Sequence, residues 1–188
     1  FDTGDNVGGG SAGDSTFILE ELVEQKAMGW VVTISEPAAV QEAIRAGLDG
    51  RFEYAVGGKR DSMHGRPVPI RGIVRSLHAG RYIEPEVRHG GSRYHDLGHS
   101  AVIEVEGSTP DLQNLLLLTT RRSYPNSIHQ IVSCGIYPER QRILVVKGTI
   151  APRAAYEPIA KKLVMVDSPG ATAINPVHFR FQRARAGL

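Results

Sequence analysis

The stretch Asp5-Asn6-Val7-Gly8-Gly9-Gly10-Ser11-Ala12-Gly13-Asp14-Ser15-Thr16 runs directly into Phe17-Ile18-Leu19-Glu20-Glu21-Leu22-Val23 and then to Trp30-Val31-Val32-Thr33-Ile34. Gly8, Gly9, Gly10 and Gly13 free the backbone to adopt positive φ and to lie close against another surface. Asp14, Ser15 and Thr16 are all N-cap residue types, and Ile18, Leu19, Leu22, Val23 and Ala27 recur at three- and four-residue steps. The pattern predicts a glycine-rich loop capped onto an amphipathic helix, followed by a buried strand. Such a loop gathers free N–H groups at the positive end of a helix and suits a carboxylate, a phosphate or a tetrahedral oxyanion. A tight, purely structural loop fits the same residues. The spacing is neither GxGxxG nor GxxxxGK(S/T), so no nucleotide motif is present.

Working outward, Ser35-Glu36-Pro37 opens a second helix with Pro37 in its first turn, a stripe at Ala39 or Val40, Ala43 and Ile44, and a stop at Gly47. Phe52–Val56 reads as the next strand. This alternation of helix and strand predicts an α/β layer with some parallel pairing. Val68–Leu77 and Ser100–Glu106 instead alternate apolar with polar residues, as antiparallel strands do, and His78–Gly98 between them reads as an extended hairpin arm or loop. Leu115-Leu116-Leu117-Leu118-Thr119-Thr120 is an unbroken apolar run and reads as a central strand covered on both faces. Beyond it come a short helix over Ser127–Gly135, a strand over Arg142–Lys147, a helix over Pro152–Ala160 and a strand over Leu163–Asp167. The tail from Ala171 has little periodicity. The fold class that follows is α/β: one domain over 1–188 with a mixed parallel/antiparallel sheet and helices packed on it.

Composition narrows the function. With 22 basic against 20 acidic residues, the formal net charge of +2 is too even for a nucleic-acid or acidic-membrane surface. Arg180, Arg183 and Arg185 cluster near the end but, with aromatics only 6% of the chain, read as a solvated or interdomain surface. Cys134 is the single cysteine, so no intrachain disulfide forms and a cytoplasmic setting is expected. No apolar run approaches the ~18 residues of a membrane span.

Three places combine groups able to do chemistry. His95 and His99 have i, i+4 spacing with His89 nearby, but Gly98 and the β-branched run that follows argue against a helix, so no intrinsic metal site is expected there. Gly57-Gly58-Lys59-Arg60-Asp61-Ser62-Met63-His64-Gly65 lies past a strand end, where open α/β sheets bind ligands. Lys59 there holds a substrate carboxylate or pairs with Asp61; His64 moves a proton or bonds a carbonyl in its own turn. Thr119-Thr120-Arg121-Arg122 has the same placement, and Arg121 offers a planar fork to a carboxylate of a substrate or of a neighbouring domain. Cys134 reads as a small buried hydrophobe. Ser11 and Ser15 lack a GxSxG context, so no serine nucleophile is assigned.

Six motifs taken together carry a family resemblance. Asp5-Asn6-Val7-Gly8-Gly9-Gly10 with Gly13-Asp14 resembles the DNxGGGxxGD segment of the MlrC-type proteins. Val56-Gly57-Gly58-Lys59 with His64-Gly65 and Pro67-Val68, Leu118–Arg122, Leu144–Lys147, Arg153–Ala160 and Val166-Asp167-Ser168-Pro169-Gly170 follow in that family's order. The resemblance is to the C-terminal domain alone. The family includes a microcystin-degrading zinc metallopeptidase, and the resemblance implies a hydrolase whose zinc ligands and general base lie in an N-terminal part, the partner of this domain. It implies no metal or other cofactor in this chain, a peptide or amide substrate, and an active-site-facing set of Asp5, Asn6, Gly8, Gly9, Gly10, Asp14, Lys59, His64 and Arg121. A non-catalytic anion-binding or interdomain packing module is the alternative, and a domain parted from its partner is expected to expose apolar surface through which copies self-associate.

Overall fold

The computed structural model describes residues 1–183; Arg185 of the terminal cluster lies outside them. Architecture follows from the leucine run. Strand β7, Leu115–Thr119, is buried along its whole length, and period-2 alternation divides its side chains between two cores. Leu116 and Leu118 join Val32 and Ile34 of β1 (Trp30–Ser35) beneath helices α1 (Phe17–Glu24) and α2 (Pro37–Ala46). Leu115 and Leu117 face the opposite side, with Leu97, Ile131, Cys134 and Ile136.

Around β7 the sheet has the order β2-β3-β6-β7-β1-β8, with β2 at Arg51–Val56, β3 at Val68–His78, β6 at Ser100–Val105 and β8 at Ile143–Leu144. Pairing is antiparallel from β2 to β7 and parallel for β7/β1 and β1/β8, a mixed sheet. The parallel pairing expected from the helix–strand rhythm falls at β7/β1 and β1/β8, while β2 is carried to the far edge by its antiparallel partner β3. The hairpin arm is a separate ribbon of β4 (Arg81–Ile83) and β5 (Tyr94–Asp96). Pro37 sits at the first turn of α2, and Gly47, at φ +75, ends it as predicted, but Ile44 is exposed rather than part of the buried stripe.

The last third is less regular than its sequence. Helix α3 spans only His129–Val132, with Gly135 at φ +75 just beyond, and α4 spans only Arg153–Tyr156. Residues 163–167 do not form a sheet strand: Val166 makes one bridge, to Asp2, because the chain's first residues run alongside and take that edge. No helix among the described residues is long and apolar enough to cross a membrane.

This topology brings the C-terminal ends of the three parallel strands together. Glu36 N–H donates to Thr119 O at 2.9 Å where β1 and β7 end, and loop 5–16 is laid over these ends: Ser35 N–H donates to Gly13 O at 2.9 Å and Val7 N–H to Lys147 O at 3.2 Å.

Candidate functional site

Asp5 is the anchor of the loop and is fully buried. Its Oδ1 accepts the Gly13 N–H at 2.7 Å and its Oδ2 the Ser15 N–H at 2.8 Å. The same Oδ2 pairs with Lys147 Nζ at 2.9 Å, and Lys147 also reaches Asp2 Oδ2 at 3.2 Å and donates to Ser15 O at 2.8 Å. Burial alone would raise the Asp5 carboxyl, but the Lys147 charge and hydrogen bond, with the amides of Ser15 and Gly13, outweigh it and bring it down to about 2. For Lys147 burial works to lower the ammonium, and the paired aspartates overcome it and raise it. Asp2 is further tied to the Ser168 hydroxyl, whose oxygen accepts the Gly4 N–H at 3.0 Å. A lysine shared by two aspartates thus holds the glycine loop from below.

Gly8, Gly9 and Gly10 are exposed and Gly13 is buried, but the expected row of free amides at a helix N-terminus is not formed. Residues Val7–Gly9 make one 3-10 turn in which the amides of Gly9 and Ser11 donate to Asn6 O, at 2.9 and 3.3 Å, and that of Gly10 to Val7 O at 3.0 Å. Gly10 closes this turn at φ +101, a conformation costly to other residues. Helix α1 begins separately. Thr16 does not cap it through its side chain: its hydroxyl donates to Arg66 O at 2.7 Å and its amide to His64 O at 3.0 Å. Asn6 donates from its backbone to Thr172 Oγ1 at 2.8 Å and from Nδ2 to Thr149 Oγ1 at 3.2 Å.

Around the loop, Asp14 Oδ2 accepts the amides of Lys59 and Arg60, at 3.1 and 3.2 Å. Lys59 pairs with neither a free carboxylate nor Asp61: its ammonium lies 2.5 Å from Glu36 Oε1 and 4.0 Å from the centre of the Tyr54 ring. Glu36 Oε2 accepts the Gly57 N–H at 2.7 Å. Arg121 turns away from the loop to Asp96 of β5, at 2.5 Å. Its neighbour Arg122 reaches the glycines instead, donating to Gly10 O at 2.9 Å and Ser11 O at 2.7 Å. Arg122, Lys147, Asp2 and Glu36 were all missed as site residues in the sequence; the first two lie inside motifs that carry the family resemblance.

His64 is buried beneath the loop. Its Nδ1 lies 2.8 Å from both oxygens of Asp61, its Nε2 lies 2.7 Å from Ser11 Oγ, and the Ala171 N–H points at Nε2 from 3.2 Å. Serine, histidine and aspartate therefore stand in a hydrogen-bonded row without any GxSxG motif, as such groups do on unrelated folds. Ser11 and His64 are buried and only Asp61, at the far end of the row, reaches solvent, so the row fastens segments together and does not present its serine. Between loop and sheet ends lies a cavity of ≈20 Å³, lined by Gly13, Ser35, Thr119, Arg122, Gln130 and Lys147, enough for one water. Ser35 Oγ has no partner among the described residues.

These residues do not fit a metal ion. Both nitrogens of His64 and both oxygens of Asp5 are engaged by the protein, and the described residues contain no group of three or more His, Cys, Asp or Glu side chains placed to hold one. His95 lies on strand β5, where its ring stacks on Tyr82 at 4.7 Å; His89 and His99 are exposed.

A family model described as MlrC C-terminus matches residues 1–183. The chain belongs to the MlrC family, as its C-terminal region. The chain is similar to Microcystinase C from Sphingomonas sp., with 23% identity over 95% of the chain and 33% of that protein. Its fold is that of a solved structure described as a candidate metallopeptidase from Mesorhizobium sp. BNC1, at a TM-score of 0.82 and 26% identity over 98% of this chain and 36% of that one. The chain thus spans about a third of the length of these MlrC-type relatives.

Proposed function

We propose that this MlrC C-terminal region forms one wall of the active site of a metal-dependent peptidase or amidohydrolase and is not catalytic alone. The zinc ion and general base come from the N-terminal part that the longer relatives carry, and the substrate is a peptide or another amide. The observation that carries this reading is the exposed turn Gly8–Gly10, held over the C-terminal ends of β1, β7 and β8 by the buried Asp5–Lys147–Asp2 group. Open α/β sheets bind ligands at that edge. Burying three charges costs desolvation that packing alone does not require, which fits a loop whose position matters. Within the set Asp5, Asn6, Gly8, Gly9, Gly10, Asp14, Lys59, His64 and Arg121, the glycines are the part that meets substrate. Asp5, Asn6, Asp14 and His64 hold the loop and Lys59 lines the approach, whereas Arg121, turned to Asp96, stands apart from it. A cytoplasmic setting suits the single buried Cys134.

An interdomain packing module is the rival, favoured by the internal use of the Gly9, Gly10 and Ser11 amides. The deciding experiment uses the full-length, zinc-loaded polypeptide and Gly8→Ala. A methyl there meets nothing closer than 3.4 Å, so the fold accepts it while the loop surface gains bulk. A fall of about tenfold or more in kcat/KM for amide hydrolysis, at unchanged thermal stability and zinc content, is expected. Unchanged kcat/KM overturns the active-site reading in favour of packing.

A further inference from the structure

His64 ties together three segments distant in sequence, and each of its contacts has a fixed sense. The Ala171 backbone N–H is a donor and cannot be otherwise, so Nε2 must carry a lone pair. The ring proton therefore sits on Nδ1, shared between the two oxygens of Asp61, and Ser11 donates its hydroxyl to Nε2. Only the neutral, Nδ1-protonated imidazole satisfies all three partners.

Segment 168–172 is a strap drawn across the base of the glycine loop. A Cβ at Gly4 would lie 2.1 Å from Pro169 O, which shows how closely the two backbones cross. Thr172 N–H donates to Gly4 O at 3.2 Å, and Thr172 Oγ1 accepts the Asn6 N–H at 2.8 Å while donating to Gly4 O at 2.9 Å. Asn6 O in turn accepts the Gly9 and Ser11 amides that shape the exposed turn. The strap is thus one hydrogen bond removed from the glycines.

We infer that His64 is a proton-sensitive latch: the neutral ring fastens strap 168–172 to the glycine loop at Ala171, and a proton added at Nε2 undoes that tie and loosens the strap, which Ser168 and Thr172 still hold. Ser11 adapts to that proton by rotating its hydroxyl toward Gly4 O, 3.4 Å away, and accepting from the ring. Ala171 has no such freedom and is left facing another donor. The charged groups around the ring do not forbid the change. Asp61 remains on Nδ1, Asp5 Oδ1 lies 3.9 Å from Nε2, and Lys147 behind Asp5 offsets part of that carboxylate; the strap presents no charge to the ring. The latch explains why a histidine, and not a permanently neutral amide, stands under the loop. Its bearing on catalysis rests on the active-site reading above, but the test needs no catalysis.

The test is amide hydrogen exchange and imidazole ¹⁵N shifts of this chain between pH 7.5 and 5.5, the range across which imidazoles gain a proton, with His64→Gln as the non-titrating replacement. Expected are an Nδ1–H tautomer at pH 7.5 and a fall of about tenfold in the protection factors of Ala171 and Asn6 on acidification, the size of one lost neutral hydrogen bond. His64→Gln removes that pH dependence, since Gln presents an acceptor and a donor at all pH values. An Nε2–H tautomer, protection that does not change with pH, or the same change in His64→Gln overturns the proposal. If His64→Gln does not fold, the wild-type midpoints decide: Ala171 amide and His64 ring must titrate together, and separate midpoints overturn it.

Discussion

Lys147→Met removes the cation that Asp5 and Asp2 share beneath the glycine loop while keeping most of its volume. It leaves two buried aspartates facing the vacated space: Asp5, whose Oδ2 stood 2.9 Å from the ammonium, and Asp2, at 3.2 Å. Asp5 retains the amides of Gly13 and Ser15 and Asp2 retains the Ser168 hydroxyl, so neither carboxylate is wholly bare. Breaking a buried pair by removing one partner costs about 3–5 kcal/mol, and the loss at pH 7 is expected in that range, a drop in Tm of about 10 °C for a domain of this size. The pH dependence carries the sharper signature. In the wild type the Asp5 carboxyl is held at about 2, below its ordinary 3.8, so its contribution is present above pH 3.8 and disappears as pH falls toward 2. That contribution is about 2 kcal/mol. Without Lys147 most of it is absent from the start, so the gap between variant and wild type is widest near neutrality and narrows through pH 4 to 2. Urea unfolding followed by the fluorescence of Trp30, which is buried, measures both curves. A loss below 1 kcal/mol at pH 7, or one equal at pH 7 and pH 3, refutes the ion-pair account.

Two glycine substitutions separate strain from collision. Gly57→Ala at φ +72 brings a methyl to 2.5 Å from Thr16 Cγ2 and 2.7 Å from Asp14 O and is expected to cost well over 2 kcal/mol, whereas Gly10→Ala at φ +101 meets nothing and loses only about 1 kcal/mol in thermal or urea unfolding. Arg122→Ala frees Gly10 O and Ser11 O; because Arg122 is exposed, stability falls by under about 1 kcal/mol, but amide exchange across Val7–Ser11 accelerates by hydrogen-exchange mass spectrometry. Burial pushes the Cys134 thiol up to about 11, with the Ser133 hydroxyl offsetting a little of that, so iodoacetamide at pH 8 is expected to leave it unmodified in the native protein and to alkylate it in 6 M urea.

Local chemistry made much of the sheet legible. The leucine run Leu115–Leu118 marked a strand covered on both faces because only such a strand needs no polar side, and Pro37 and Gly47 bracketed α2 by the φ values each favours. Legibility failed where a segment's pairing depended on chain far away. Leu163–Asp167 has the composition of a strand but not its place, since residues 1–3 occupy the neighbouring position. The candidate site was readable as motifs and not as contacts. Gly8–Gly10, Lys59 and His64 stood out by type, yet Lys59 chose Glu36 over Asp61, and Asp5 chose a lysine 142 positions on. A buried charge announces its burial only through its partners, and spacing along the chain does not reveal those.

Arg121 and Arg122 show how much a fold decides after the residue types are known. They follow the end of the same strand with the same chemistry, and beyond Thr119 the chain bends and sends them to opposite sides. Arg121 meets Asp96 on the hairpin arm with 64% of its side chain exposed, where an ion pair contributes about 0–1 kcal/mol. Arg122 crosses to two carbonyls of the glycine loop, beneath which Asp5, Asp2 and Lys147 are nearly sealed from water. The end of β7 therefore joins a weakly held arm to a firmly held loop. Strong, buried and permanently charged contacts fix where the glycines stand; the titratable contact at His64 bears on the strap beside them. A loop built this way keeps its position while one edge remains free to respond, a division of labour that suits the active-site wall proposed above.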